Sequence, residues 1–395
     1  NSNLSNGKMF NPAYTNAGAF TLDAQRSRAR KRARFERLFE VFQHKGQSEC
    51  ANGLRGILGG ADELCEVEQV RHVGERRTVR GEAVTTSDCG DDVGDNGMLS
   101  GGCISRYDFA RGVLIAGLEE SARLGVNPYR YGLMASTDTH ASGPGAVSET
   151  NWRGHIGLEV GLANRLDARG GYIPSQLRGN PGGLIGVWAV ENSRDALFDA
   201  MERRETFGTS GPRIVPRVYA GWDLPDDFCE DPKGTARANT MGVPMGGQLP
   251  PPPDGETGPV FAITALADPA PGSAPLERIQ IVKGWLDAES RAHVEVYDVA
   301  GSADAGPKLD MNTCKLETGG TRSLCTVYRD LDFDPNHPAW YYVRVVETPT
   351  CRWSVAQCTA LPEEDRPAAC INDAPKTIQE MAWTSPVWYE TARKQ

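Results

Sequence analysis

Long hydrophobic runs are absent from this chain of 395 residues. No stretch approaches the roughly 18 consecutive apolar residues that a membrane-spanning helix needs, so no membrane span is predicted. An excess of positive charge is also absent, because the formal net charge is −10. Proteins that bind nucleic acids usually carry a basic surface, so no nucleic acid is expected as a partner. Apolar residues make up 39% of the chain, which is enough to build a globular core.

The ten cysteines include no CxxC pair, the spacing that is typical of zinc ribbons. Their number is even, and several stand in polar, turn-like surroundings such as SDCGDD and MNTCKL. These features favour disulfides in an oxidising compartment, and they predict a secreted or periplasmic protein. The alternative is a cytosolic protein with scattered buried thiols. Connectivity does not follow from the sequence, but Cys89–Cys103 and Cys314–Cys325 are the leading local pairs.

The first 230 residues alternate between strand-like and helix-like patterns. Strands are predicted at LFEVFQ (38–43), YRYGLMAS (129–136) and LIGVWAV (184–190). Helices are predicted at 23–37, with Asp23 as a possible N-cap, at 107–123 before Gly125, and at 193–204. This alternation predicts a parallel α/β architecture, in which functional residues gather at the carboxyl ends of strands. The first helix carries seven basic residues, which either face solvent or form an anion-binding face.

Residues 231–259 are rich in proline and glycine and contain four consecutive prolines at 250–253, a composition that predicts a linker. Beyond it the pattern changes to short alternating strands, as in VFAITAL, AHVEVYDV and AWYYVRVVE, which predict an antiparallel β-sandwich-like domain. The predicted organisation is therefore an α/β part at 1–230, the linker, and a β-rich part at 260–395.

Histidine is scarce, with six in the whole chain, so each can be weighed singly. Three of them lie in a charged segment or in the β-rich part: His72, His293 and His337. His155 stands in an irregular stretch and is either structural or a neighbour of a site. His44 and His140 both follow predicted apolar strands directly, and they are therefore the candidates for chemistry.

Asp138 and His140 are two residues apart at the end of a predicted strand. On an extended backbone both side chains point to the same side, so together they could bind one ion or two adjacent ions. The Gly-containing segment ASGPGAVSETNW follows, and it lets backbone approach a ligand. Residue chemistry alone leaves metal binding and a chance pair of polar residues equally open.

Longer motifs resemble a known family. QHKG at 43–46, STDTH at 136–140 and the run at 191–214 are similar to the late motifs of the PHP (polymerase and histidinol phosphatase) superfamily. The chain is most similar to a secreted branch that is catalogued only as a domain of unknown function. In that branch QHKG-x-SEC, STDTH, the SRDALFDA helix, RIQIVKGW and WTSPVWY recur together. The resemblance extends from Asn1 to about Tyr389.

The resemblance implies the later part of a distorted PHP-type α/β barrel that holds up to three divalent ions, of Zn, Mn or Fe. Residue by residue, His44 matches a late histidine ligand, and Asp138 and His140 match the final D-x-H, both as ligands and as catalytic residues. The earlier motifs are absent, and a further ligand would precede Asn1. The amino-terminal portion of the same polypeptide is therefore expected to complete the site.

The activity that the resemblance implies is metal-assisted hydrolysis of a small anionic substrate, most often a phosphate ester. Lys45 and Arg213 are candidates for binding the anionic group, since a guanidinium pairs bidentately with phosphate oxygens, and Trp152 and Arg153 are candidates for lining the pocket. All four could equally be ordinary surface or packing residues. One alternative is a secreted binding module with a structural metal. An amino-terminal-nucleophile hydrolase is disfavoured by Asn1, because such enzymes begin with Ser, Thr or Cys.

Overall fold

The structure is a computed structural model that describes residues 2–79, 82–99, 101–156, 161–166, 177–303, 306–372 and 374–391. Within these ranges the chain is a mixed α/β protein in which sheet predominates. None of the sheets in the described ranges closes into a barrel. The barrel that the resemblance implies is therefore not seen in this part of the chain.

The two long helices of the first part form close to where the sequence predicts them. The first is capped by Thr21, whose hydroxyl accepts a hydrogen bond from the Ala24 N–H at 3.2 Å, while Asp23 lies in its first turn. The second ends at Gly125, which is left-handed with φ of 72°. No helix of the described residues is long and apolar enough to cross a membrane. The helices are α1 Leu22–Phe35, α2 Ala110–Leu124, α3 Leu162–Arg165, α4 Arg194–Arg203, α5 Gly234–Met241 and α6 Trp353–Thr359.

The longest strands lie beyond residue 249. Up to residue 249 the strands are β1 Leu38–Gln43, β2 Gly46–Gln47, β3 Ile57–Leu58, β4 Arg76–Val79, β5 Glu82–Thr85, β6 Gly132–Ala135, β7 Leu184–Val187, β8 Thr206–Thr209, β9 Val215–Gly221, β10 Val243–Pro244 and β11 Gln248–Leu249. The remaining ones are β12 Val260–Leu266, β13 Leu276–Leu286, β14 Ala292–Gly301, β15 Leu309–Asp310, β16 Lys315–Leu316, β17 Ser323–Arg329, β18 Ala339–Glu347, β19 Thr350–Cys351, β20 Thr377–Ile378, β21 Met381–Thr384 and β22 Val387–Tyr389.

A sheet with the path β3-β14-β13-β18-β21-β8-β7 forms the centre of the fold. Successive side chains of a strand point to opposite faces, and β18 shows this clearly. Tyr342 faces a core that it shares with Val113 of α2 and Phe42 of β1. Val343 faces the opposite core, which it shares with Ile263 of β12. The central sheet is therefore covered by α2 and β1 on one side and by the sheet β10-β9-β12-β17 on the other.

Within the described part of the first 230 residues, the predicted parallel arrangement holds for one pair of adjacent strands but not for all of them. β1 and β6 are parallel, with Leu38 opposite Gly132, but β7 and β8 are antiparallel although α4 lies between them. The chain folds back after α4 at Arg204, which is left-handed with φ of 65°, and the following strand runs against β7. The inference from strand–helix alternation to a parallel sheet is wrong for this segment.

The predicted linker at 231–259 does not coincide with a boundary between sheets. β9 precedes it and β12 follows it, yet the two strands pair along their whole length. β7 and β8 also join the central sheet, whose longest strands belong to the predicted β-rich part. The division at 230 and 260 stays a prediction about sequence patterns, while hydrogen bonds connect the two parts.

Five disulfides connect all ten cysteines. Cys89–Cys103 is present as predicted. The predicted pair Cys314–Cys325 is wrong. Cys325 lies on β17, which pairs with β12, and there it bonds to Cys229, 96 residues earlier. Cys314 follows β15 and bonds to Cys351 on β19. Five disulfides fit an oxidising compartment.

Glu347 lies at the end of β18, and its buried carboxyl should make the folded protein less stable as pH rises. Its side chain is buried, and burial together with Asp268 raises the pKa of its carboxyl to about 8, although Arg322 opposes this. The folded state therefore favours the protonated form. The resulting stabilisation is complete below the unfolded pKa of about 4.5 and is lost as pH rises through about 8.

The Glu347→Gln variant should lie within about 1 kcal/mol of the wild type at pH 5 and be more stable at pH 9, by on the order of 4 kcal/mol. Urea denaturation at pH 5, 7 and 9 measures the difference. Glu364→Gln, at an exposed position, is the matched control and should follow the wild type throughout. Parallel pH curves for the Glu347→Gln variant and the wild type would show that Glu347 does not titrate on unfolding.

Candidate metal site

The candidate site lies at the carboxyl ends of the parallel strands β1 and β6. The backbone pairing continues beyond both strands, because the Ser136 N–H donates to the Phe42 carbonyl and the His44 N–H donates to the Thr137 carbonyl, each at 3.1 Å. Two apolar strands thus deliver polar residues to one edge. His44 and Asp138 come from segments far apart in the sequence, and the sheet brings them to the same place.

Three side chains converge there: Asp138, His140 and His155. Each offers one ligand atom, and these atoms all lie within 4.8 Å of one another. The Asp138 Oδ1 atom is 3.6 Å from His140 Nε2, and the two imidazole rings are 4.2 Å apart between centroids. The His140 N–H also donates to the His155 carbonyl at 2.9 Å, which fixes the two segments together. We call these residues the DHH set.

His44 contacts the DHH set through His155. The two Nδ1 atoms are 2.9 Å apart, a distance that fits a hydrogen bond between two neutral imidazoles with one donor and one acceptor. Burial and, to a smaller extent, the neighbouring His155 together lower the pKa of His44 to about 4, so His44 is neutral at neutral pH. Two nitrogen atoms that bind the same tetrahedral zinc ion lie about 3.4 Å apart. The separation of 2.9 Å between the Nδ1 atoms of His44 and His155 is therefore also close to that of two ligands of one ion.

The backbone at Asp138 differs from the extended geometry expected of the D-x-H motif. Asp138 has φ of 58°, in the left-handed region that most residues avoid and that glycine, asparagine and aspartate enter more readily. Its carboxylate and the His140 ring therefore approach each other because the chain turns, and the expectation of an extended segment is wrong. Uncommon backbone conformations of this kind cluster at functional sites.

Gln43 and Lys45 hold the Asp138 carboxylate from one side. The Gln43 amide donates to Oδ2 at 2.7 Å, and the Lys45 ammonium lies 3.4 Å from the same oxygen. The Gln43 Oε1 atom accepts from the Lys45 N–H at 2.8 Å, which fixes the amide's orientation. Burial would raise the pKa of Asp138, but Lys45 and Gln43 outweigh it and keep that pKa below its ordinary value. Oδ1 is left facing His140.

Gly182 packs against the back of the site, where a side chain would not fit. Its φ is +80°, and a Cβ atom there would stand 2.7 Å from the Thr137 Cα and 2.9 Å from the His44 ring. The side chain of Asn180 accepts from the Gly182 N–H at 2.7 Å and shapes the turn. The close approach needs glycine at this position.

The structure places the four predicted substrate-binding residues differently from one another. Lys45 lies at the site beside Asp138. Trp152 is buried, with its ring 5.7 Å from that of His44, so it supports the site from behind instead of lining an open pocket. Arg153 and Arg213 are both exposed. The Arg213 N–H donates to Asp268, in the loop after β12, at 2.7 Å.

Two site residues were not assigned from the sequence. The sequence does not decide whether His155 is structural or belongs to a site, because it lies in no predicted strand or helix. Only the folding of the loop after His140 brings it to Asp138. Gln43 stands beside His44 in QHKG, but an uncharged amide gives no chemical signal of its own. Both become recognisable only through the contacts that the fold creates.

The donor atoms of the DHH set fit a divalent metal ion. One carboxylate and two imidazoles suit Zn²⁺ or Fe²⁺, and a single carboxylate with open positions also suits Mn²⁺. His140 is 53% exposed and Asp138 33%, so a solvent-facing side remains. A second cluster in the described part of the chain consists of Cys50, Cys65 and Asp62. There the sulfurs form a disulfide and Asp62 pairs with Arg111, so no thiolate is available.

Fold and site together define a disulfide-bonded mixed α/β protein with a candidate metal centre at the ends of two parallel strands. The chain matches the model of the family described as Protein of unknown function (DUF3604) over residues 1–391, and it belongs to that family. Comparisons with curated proteins and with solved structures gave no match.

Proposed function

We propose that this protein is a secreted or periplasmic metal-dependent hydrolase that acts on phosphate esters. The observation that carries the proposal is the convergence of Asp138, His140 and His155 on one solvent-facing point at the end of a parallel strand pair. The resemblance of QHKG and STDTH to late PHP motifs supports the same reaction class, because both motifs contribute to this point. Metal-dependent hydrolases of this type use carboxylate and imidazole ligands with open positions.

The residues of the chain have separable tasks in this proposal. Asp138, His140 and His155 would hold a divalent ion, of Zn, Mn or Fe, which lowers the pKa of a bound water and stabilises developing negative charge. His44 holds the His155 ring through the Nδ1 contact. The resemblance to the PHP superfamily would also make it a ligand in a cluster of up to three ions. Asp138 and His140 remain the candidate catalytic residues.

Anionic substrate groups would be bound beside Asp138. The Lys45 ammonium lies 3.4 Å from Asp138 Oδ2, and the Lys45 side chain is 14% exposed, so it is largely held in place but not fully buried. Arg153 is exposed two residues before His155 and is the next candidate at the rim. Arg213 is exposed as well, and it stays a candidate on chemistry alone, since a guanidinium pairs well with phosphate oxygens.

The site would be completed by the amino-terminal portion of the polypeptide. The beginning of the chain lies against the QHKG segment, where the Asn3 amide donates to the Lys45 carbonyl at 2.7 Å and to the Gln47 carbonyl at 3.0 Å. The Asn3 N–H also donates to the Ser48 hydroxyl at 3.2 Å. These contacts connect Asn3 to the segment that carries His44 and Lys45, and the further ligand that the resemblance implies remains part of the proposal.

The test uses the complete polypeptide and a panel of phosphomonoesters and phosphodiesters. Hydrolysis should appear with added Mn²⁺ or Zn²⁺ and should be lost with a chelator. The exposure of His140 favours an open catalytic site over a structural one, in which four protein ligands enclose the ion. Metal bound at the DHH set without turnover of any ester would reject the hydrolase and leave the binding module with a structural metal.

Removal of the Gln43 amide is expected to weaken metal binding at the DHH set. Gln43→Met keeps the length of the side chain but deletes the donor to Asp138 Oδ2, so the carboxylate loses its fixed orientation. Partners of this kind typically contribute about 10–100-fold to metal affinity, and a weakening of that size is expected. Isothermal titration with Mn²⁺ or Zn²⁺ measures it. Gln25→Met, on α1, is the control and should bind as the wild type does. Unchanged affinity in the Gln43→Met variant would remove Gln43 from the site.

A further inference from the structure

A cavity of about 760 Å³ lies between α1 and the segment at residues 8–14, and its walls carry four cationic side chains. They are Lys8, Arg28, Lys31 and Arg32. Glu36 is the only carboxylate among the described residues that line it. The protein as a whole has a net charge of −10, so this concentration of positive charge runs against the average of the chain. The volume is in the range of small-molecule sites, which is about 300–1,000 Å³.

Two of the four cations already have partners. Arg32 donates to Glu36 at 2.6 Å and to the Met9 carbonyl at 2.7 Å, and its guanidinium lies 4.9 Å from the centre of the Tyr129 ring. Its role is to hold the wall of the cavity together. Lys8 forms an ion pair with Asp95. The charges of both side chains are therefore already balanced by carboxylates of the protein.

Arg28 and Lys31 are different. Both are exposed, and neither forms an ion pair with any residue in the described part of the chain. They are three positions apart on α1, so they stand next to each other on one face of the helix. Two adjacent cations without carboxylate partners, both lining one concave surface, are suited to an anion with several oxygens.

Apolar side chains border the same cavity. Phe35 is 73% exposed, Met9 48% and Val93 41%, and all three line it. The Arg34 guanidinium lies 5.3 Å from the centre of the Phe35 ring. Large exposed apolar side chains beside unpaired cations fit a ligand that has an apolar or aromatic body as well as a charged group.

We propose that this cavity is a second binding site, for a small organic anion that joins a phosphate or sulfate group to an apolar or aromatic body. Arg28 and Lys31 bind the anionic group, and Phe35 contacts the body. The site shares no residue with the DHH set, so it does not depend on the proposed hydrolase activity. Phosphate and sulfate offer the same oxygen acceptors, and separate probes distinguish them.

Isothermal titration of the chelator-treated protein at physiological ionic strength tests the proposal. The probes are phenylphosphonate, benzenesulfonate, inorganic phosphate and inorganic sulfate, none of which is a hydrolysable ester. Phenylphosphonate or benzenesulfonate should bind at least tenfold more tightly than the corresponding inorganic ion, and the stronger of the two identifies the class of anion. Failure of all four probes to saturate the protein below about 10 mM, a very weak affinity, would overturn the proposal.

Matched variants distinguish binding in the cavity from a general electrostatic attraction of the probes to the basic helix α1. The double variant Arg28→Ala/Lys31→Ala should weaken binding of the preferred probe at least tenfold. Arg26→Ala/Arg30→Ala removes the same charge from the same helix at positions that do not line the cavity, and it should change the affinity less than twofold. Equal losses in the two double variants would overturn the site. Phe35→Ala should reduce phenylphosphonate binding to that of phosphate, and an unchanged preference would overturn the role of the ring.

Discussion

Asp138→Asn is expected to abolish metal-dependent hydrolysis while the fold stays intact. The substitution removes the negative charge that faces His140 and, in the proposal, holds the ion and helps to acidify its water. Several kcal/mol of transition-state stabilisation would be lost, which corresponds to at least about a hundredfold in rate.

The fold should tolerate this change for a local reason. Asp138 is left-handed, and asparagine is among the few residues that accept this conformation readily. Its Oδ1 can still accept from the Gln43 amide. Turnover by the complete polypeptide, metal affinity and thermal unfolding are compared with those of Asp199→Asn, an exposed control on α4. Wild-type turnover in the Asp138→Asn variant would contradict the catalytic role, whatever the metal content.

Glu49→Gln is expected to cost about 3–5 kcal/mol of the free energy of unfolding. Glu49 is buried and pairs with Arg111 of α2 at 2.7 Å and with Arg344 of β18 at 3.1 Å, while the Trp383 indole N–H donates to it at 2.6 Å. Both arginines also pair with Asp62, so two acids and two cations balance. Loss of one negative charge leaves a buried guanidinium without its full partner.

Chemical denaturation measures this cost, with Glu364→Gln as the exposed control. A change below about 1 kcal/mol would contradict the network's role, because it would resemble an exposed ion pair. If the Glu49→Gln variant does not fold, Glu49→Gln/Arg344→Met provides the second measurement. Removal of one charge of each sign should recover part of the lost stability. A double variant no more stable than the single one would contradict an unpaired buried guanidinium as the cause of the loss.

Local sequence patterns predicted where strands and helices lie better than which strands and cysteines pair with each other. LFEVFQ is an apolar run of strand length, and β1 occupies the same residues, 38–43. Gly125 ends α2 because glycine adopts the left-handed conformation without a side-chain clash. By contrast, Cys325 bonds to a cysteine 96 residues away, and β7 pairs antiparallel with β8. Spacing in the sequence does not determine such pairings, since they depend on packing between distant segments.

The candidate site was predictable in part for the same reason. His44 and Asp138 follow apolar strands, and parallel neighbours bring their carboxyl ends together, so the sequence indicated both residues. His155 reaches the site through an irregular loop. The left-handed turn at Asp138, instead of an extended backbone, directs the carboxylate towards His140. Loop conformation of this kind leaves no periodic signal in the sequence.

The most direct test of the central claim is an anomalous difference map from crystals of the complete polypeptide grown with Mn²⁺ or Zn²⁺. The account predicts a peak about 2.0–2.2 Å from a carboxylate oxygen of Asp138 and from ring nitrogens of His140 and His155. Further peaks near His44 would fit the cluster that the PHP resemblance implies. Metal bound in solution but absent from these three side chains in the map would contradict the account.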